Sequence, residues 1–191
     1  MKRLAFLTTT LFLLMAVGAS QAQTQPATNE SKKEIKKEIR QEKKAKKLTL
    51  RKLNGTAINP KAKKNFEAKY GKAPRTRFAR RNYFDVATFI KDDIELNAYF
   101  DFDGNYVGST SEVKFAAIPL AGQKNIKKDY KDYTVRKVVF FKDNEKNDTD
   151  MMLYGIQFDD EDTYFVELTK GKKTIVVQVT PTCKVYYFTS I

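Results

Sequence analysis

Histidine is absent from the 191-residue chain. Its absence removes the commonest general base at neutral pH and the commonest metal ligand. Cysteine occurs once, as Cys183, which excludes an intramolecular disulfide, a thiolate zinc cluster and a Cys-x-x-Cys redox pair. Ser109 and Ser111 alternate along a strand-like stretch, but no imidazole is available to activate either as a nucleophile. A long apolar run is also missing. The longest, over residues 4–17, is interrupted by threonines and falls short of the ~20 residues that a transmembrane helix needs.

Charge is abundant but unevenly placed within the net +13. Residues 31–53 carry eleven Lys/Arg against three Glu, and residues 61–81 carry nine against one, a net of +8 in each. From residue 82 onward, fourteen basic residues face eighteen acidic ones, a net of −4. Apolar residues make up 41% and aromatic ones 13%, enough for a packed core over the less basic part of the chain.

The start has the pattern of a secretory signal peptide: Lys2 and Arg3, the apolar run, then Ser20-Gln21-Ala22, a small-x-small cleavage signal. The expectation is residues 1–22 removed near Ala22, leaving an exported chain, periplasmic or secreted, with no transmembrane segment. Residues 23–58 read as a basic, mobile or marginally helical arm. Ser31 and Glu34 have capping-box spacing, but Glu34, Glu38 and Glu42 set like charges one turn apart. Such a run is either a solubilising linker or an electrostatic arm. Export argues against nucleic acid as its partner. Lipid phosphates, acidic glycans or an acidic protein remain.

The folded part is expected over residues 59–191. Asn59 and Pro60 suit an N-cap and first helical position, and Ala62, Phe66 and Tyr70 form a stripe that stops at Gly71. Strands follow at 75–81, 83–90, 94–102 and 105–115. In the third, Ile94, Leu96, Ala98, Phe100 and Phe102 alternate with polar positions, which predicts one face in a core. A second helix is predicted from Pro119 to Tyr130, then strands at 134–142, 151–158, 163–169, the run from Ile175 to Val179, and 183–188. "NFEAKY" at 65–70 and "NIKKDY" at 125–130 occupy equivalent places. The order therefore predicts an α+β fold. It consists of tandem helix-plus-four-strand repeats, about 59–117 and 118–191, forming an antiparallel sheet with helices packed on one face.

Several of these features together resemble the PepSY-like proteins of bacterial periplasms, whose fold is similar to the beta-lactamase inhibitor protein. They are Phe66 and Tyr70 on the first helix, the "YFDFDG" hairpin at 99–104, Ile118-Pro119 opening the second helix, and Tyr130, Tyr133 and Val135. Phe78 stands where that family often has tryptophan, and the lysine-rich arm is outside its pattern. The resemblance implies a non-enzymatic binding module of exported proteins, without specifying a target.

Candidate sites follow from the residues. The acidic turn around Asp101 and Asp103 is a weak calcium candidate. Gly104 comes two residues too early for an EF-type loop, whereas Asp103-Gly104 fits a two-residue hairpin turn with both residues at positive φ. The run Asp159-Asp160-Glu161-Asp162 reads as a solvated turn. No cofactor is expected, and no catalytic residue stands out. The strongest candidate surface is Arg75, Arg77, Phe78, Arg80, Arg81 and Tyr83. Guanidinium groups beside aromatic rings suit carboxylates or phosphates; an edge strand guarded by charge has the same composition. The functional expectation is an exported periplasmic binding module for an unidentified protein, peptide or envelope ligand. The alternative is a structural protein held to anionic envelope material by its basic N-terminal half. A lipid-spanning β-barrel would also alternate, but two helices and charged strand faces argue against it.

Overall fold

The computed structural model describes residues 50–191. The signal sequence, its cleavage position and most of the basic arm lie outside the described residues. The elements run α1 (Pro60–Tyr70), β1 (Arg77–Arg80), β2 (Asp85–Lys91), β3 (Ile94–Phe100) and β4 (Tyr106–Glu112). After a 3-10 turn (Phe115–Ala117) come α2 (Leu120–Asp129), β5 (Thr134–Asp143), β6 (Met151–Leu153), β7 (Ile156–Phe158), β8 (Thr163–Lys170), β9 (Lys173–Val179) and β10 (Val185–Ser190). Eight strands form one sheet in the order β1-β2-β3-β4-β5-β8-β9-β10, and β6 and β7 form a separate hairpin. All pairings are antiparallel.

The helices form where capping and stripe predict them. The Asn59 side chain accepts a hydrogen bond from the Lys61 N–H, Pro60 opens α1, and Gly71 at φ 70° ends it. Alanine and phenylalanine at 62 and 66 are buried against Ala87, Phe89, Ala98 and Phe100. Ile118 and Ile126 bury against Val138, Val166, Leu168, Ile175, Val177 and Val179. Paired residues of an antiparallel ladder point to the same side. Following the register across the sheet, both helix-covered sets lie on one face. Each large apolar side chain buried there contributes about 1.5–3 kcal/mol relative to exposure.

The opposite face is also covered, in part. Phe84, Val86, Phe141, Phe165 and Val176 form a second core with Met151 and Phe158 of the β6–β7 hairpin. Residues 151–158, expected as one strand of the main sheet, fold back on themselves at Tyr154 (φ 51°) and Gly155 (φ 78°). Tyr-Gly is not a usual turn pair, so the reversal leaves no signal in the sequence.

Two further expectations are corrected. Of the five alternating residues predicted over 94–102, only Ala98 and Phe100 are fully buried; Ile94 is 48% exposed, and Phe102, past the end of β3, is 38% exposed. Strand ends outrun the helix that covers the middle, and Phe102 instead lies under the Arg51 guanidinium, 3.7 Å from its ring centroid. Packed structure also begins before Asn59. Leu53 is buried, its N–H donates to the Asn82 carbonyl, and Leu50 packs on the second core. These leucines stand in a lysine-rich run whose charge hides their role. Cys183 lies partly exposed in the β9–β10 turn with φ 61°.

Candidate functional site

The β6–β7 hairpin crosses the helix-free face and divides its uncovered part into two grooves. The larger, about 620 Å3, runs along Arg81, Tyr83, Thr88, Asn97, Tyr99 and Tyr154. The smaller, about 450 Å3, runs along Asn97, Tyr99, Thr110, Glu112, Lys137 and Tyr154. Asn97, Tyr99, Leu153 and Tyr154 belong to both, so the hairpin tip is their common wall.

That wall is fastened from below. Tyr154 donates its hydroxyl to Glu167 Oε1 at 2.9 Å. Glu167 is buried in the middle of β8, and the Arg136 guanidinium lies 3.3 Å from its other oxygen. A tyrosine in the left-handed region carries strain of about 1–3 kcal/mol, and its hydroxyl bond and hydrophobic seat hold it there. Tyr99 shares a 3.0 Å hydrogen bond with Thr110, and Thr88 donates to Asn97 at 2.7 Å. Burial pushes both phenols upward. For Tyr99 the Thr110 bond and Arg81 partly oppose this; for Tyr154 the Glu167 bond and charge add to it. At neutral pH both rings are therefore neutral, amphipathic contact surfaces with a hydrogen-bonding tip.

The structure divides the arginine-rich segment among three environments. Arg81 and Tyr83 line the larger groove. Arg80 lines it too, but its Nε and Nη2 donate to the fully buried Asp85 carboxylate at 2.8 and 2.9 Å, and its Nη1 donates to the Asn54 carbonyl. Arg75 and Arg77 border a separate hollow of about 390 Å3 beside Phe89, Ile90 and Glu95. Phe78 stands edge-on to Phe66 with centroids 5.4 Å apart, as part of the α1 packing. Tyr99, Asn97 and Tyr154 were not anticipated. An aromatic residue on the polar parity of β3 was the available sign that this face is not plain solvent surface.

The acidic turn is a hairpin connection. Gly104 N–H donates to the Asp101 carbonyl, and Asp101 N–H donates to the Asn105 carbonyl. Only Gly104 of the Asp103-Gly104 pair has positive φ, at 75°, so the loop is longer than a two-residue turn by its closing bond. Asp101 Oδ1 accepts from the Asn105 N–H at 2.8 Å and Oδ2 from Asn147 at 3.2 Å; Asp103 accepts from Arg51 at 3.2 Å. Among the described residues, no three His, Cys, Asp or Glu side chains gather as a metal set.

Asp143, at the end of β5, has a different character. Its Oδ1 is buried without a hydrogen-bond partner. Burial is the main cause that raises its pKa to about 6. The Asn144 N–H opposes the shift, and Asp160, Asp162 and Glu145 add to it. A carboxyl raised in the folded state binds more protons folded than unfolded between its ordinary range and about 6. Stability from this group is full below the unfolded pKa and is lost as pH rises through about 6. Asp143→Asn should therefore raise stability at pH 7 and flatten the decline between acid and neutral pH. Urea melts across that range test this, and a variant whose stability parallels the parent at every pH would refute it.

No family model matches the sequence, and no curated protein matches it. Solved structures do match in fold. A DUF2874 family protein from Bacteroides uniformis aligns with a TM-score of 0.56 at 14% identity, covering 68% of this chain and 86% of that one. A candidate periplasmic protein from Bacteroides eggerthii gives 0.56 at 13%, covering 70% and 91%. A BLIP-like protein from Bacteroides fragilis gives 0.54 at 15%, covering 71% and 87%. At such identities the likeness speaks for the fold: the chain is an α+β protein with a BLIP-like antiparallel sheet carrying two helices.

Proposed function

We propose that this protein is an exported, periplasmic binding module without catalytic activity, and that it takes a protein or peptide ligand along the grooves beside the β6–β7 hairpin. The observation that carries this reading is the shared wall of Tyr99 and Tyr154, two neutral aromatic residues flanked by Arg81 and Tyr83 on one side and Lys137 and Glu112 on the other. Aromatic rings with polar tips beside a few charges are the composition of protein-recognition surfaces. A described neighbour with a periplasmic designation favours an envelope setting, as does the signal-like sequence of residues 1–22. Export after cleavage near Ala22 belongs to this proposal, as does the assignment to PepSY-like modules. The element order, helix and four strands followed by helix and four strands with the β6–β7 hairpin inserted, favours a duplicated module split near residue 118.

Site-specific photo-crosslinking in intact cells tests the groove. A crosslinker at Tyr83 or Asn97 should give a discrete adduct that Tyr99→Ala weakens at least about tenfold, the loss expected when an aromatic anchor is truncated. One at Lys128, on the outer face of α2, should not. Equal labelling from Lys128 would refute the groove. The second reading, attachment to anionic envelope material through the basic N-terminal half, rests on the +8 of residues 61–81. It predicts release of the protein from envelope fractions by high salt.

A further inference from the structure

We propose that the cleft between α1, the β3–β4 turn and the β5–β6 loop binds a phosphate monoester, held by the ammonium groups of Lys69 and Lys146. The cleft has a volume of about 710 Å3, and Lys69, Lys146 and Tyr106 line it. Its position, on the far side of the sheet's first strands from the hairpin, makes the proposal independent of the grooves above: either can fail alone.

The lining carries three basic residues, Arg51, Lys69 and Lys146, against three acidic ones, Asp101, Asp103 and Asp148, and it is the pairing among them that leaves the two lysines available to an anion. Arg51, Asp101 and Asp103 are engaged with other groups. Arg51 stacks on Phe102 and pairs with Asp103, and Asp101 accepts from Asn105 and Asn147. The lysines are not matched in this way. None of Lys69, Lys142 and Lys146 forms an ion pair with a described residue. The Lys69 ammonium sits 4.3 Å from the Tyr106 ring centroid and 5.8 Å from that of Tyr70, whose hydroxyl donates to Tyr106 at 3.0 Å. Burial, then Lys142, Lys146 and Lys91, lower the Lys69 pKa. Like charges brought together beside two rings cost free energy that a bound dianion would recover.

The residue types select the class of anion. A planar carboxylate is best matched by the two-pronged guanidinium of arginine, whereas separate ammonium groups on flexible stems surround a compact, multiply charged phosphate as point charges. Asn65 and Asn144 are committed to backbone carbonyls of Gly104 and Tyr106 and so fix the walls. Asp101, whose partners are neutral amides, and Asp148, exposed on the β5–β6 loop, are the lining acids left to oppose an anion.

The phosphate has two possible carriers, a soluble monoester and a lipid headgroup, and the test separates them. Calorimetry of the full chain with glycerol 3-phosphate and inorganic phosphate forms one arm. Co-sedimentation with phosphatidylcholine vesicles, plain or doped with phosphatidic acid, forms the other. Lys69→Gln and Lys146→Gln should each weaken binding about tenfold, the worth of one charge-assisted contact. Asp148→Asn should strengthen it, and Lys128→Gln on α2 should leave it unchanged. All four positions are exposed, so circular dichroism suffices to show an intact fold. Saturable binding in the soluble arm assigns a small phosphate, and binding in the doped-vesicle arm alone assigns a headgroup. The site is overturned if neither probe binds, or if Lys128→Gln weakens binding as much as Lys69→Gln, which is the behaviour of diffuse net charge.

Discussion

Asp85→Ala is expected to destabilise the protein by about 3–5 kcal/mol, the cost of breaking a buried ion pair from one side. Asp85 is fully buried and takes three charge-assisted hydrogen bonds: two from Arg80 and one, at 2.7 Å, from the Asn59 N–H. Removing the carboxylate strands a guanidinium whose side chain is only 15% exposed, along with the backbone donor that begins α1. The Arg80 Nη1 bond to the Asn54 carbonyl would loosen with it, so hydrogen exchange should rise first over residues 53–60. Arg80→Met should cost a similar amount by leaving the carboxylate unpaired. The double variant should cost less than the sum of the two, because no orphan charge remains. Urea unfolding of the four proteins gives the coupling directly. Single-variant losses under about 1 kcal/mol would mean that the pair is hydrated like a surface bridge.

The same pair shows what was legible in the sequence and what was not. Arg80 and Asp85 stand in two predicted strands, but nothing in their spacing says that β1 and β2 register Arg80 opposite Asp85. The segment containing Arg75, Arg77, Arg80 and Arg81 therefore read as one charged surface, whereas pairing distributes it over three environments. Local rules did better where the signal is local. Asn59-Pro60 and Gly71 mark α1 correctly, and the alternation of Ala98 and Phe100 marks the helix-covered face. The hairpin escaped because its turn rests on Tyr154 in a conformation that tyrosine rarely adopts, held by a contact with Glu167 thirteen residues away. The candidate grooves depend on that turn, so the site was less readable than the fold. Tertiary contacts decide which face is covered, and composition does not report them.

Gly108→Ala should cost about 3 kcal/mol, at the upper end for overpacking by a single methyl. The added Cβ would lie 2.5 Å from two atoms of the Phe141 ring and 2.7 Å from the Lys142 carbonyl oxygen. Neither neighbour can yield cheaply. The carbonyl belongs to the ladder that pairs Gly108 with Asp143, and the fully buried Phe141 ring abuts Phe158 at 5.2 Å in an edge-to-face arrangement. Phe158 in turn packs on Phe165 at 4.8 Å. A ring displaced by alanine would thus press on β7 and lift the hairpin whose tip divides the grooves. Amide exchange should then accelerate in β6–β7 before it does in β8 and β9. Phe141→Leu in the Gly108→Ala background should recover part of the loss by vacating the ring atoms, although Phe141→Leu alone opens a cavity and destabilises. If the double variant is no better than Gly108→Ala, the clash with the Lys142 backbone outweighs the ring. If Gly108→Ala is as stable as the parent, the close approach of β4 to the aromatic stack is not what seats the hairpin.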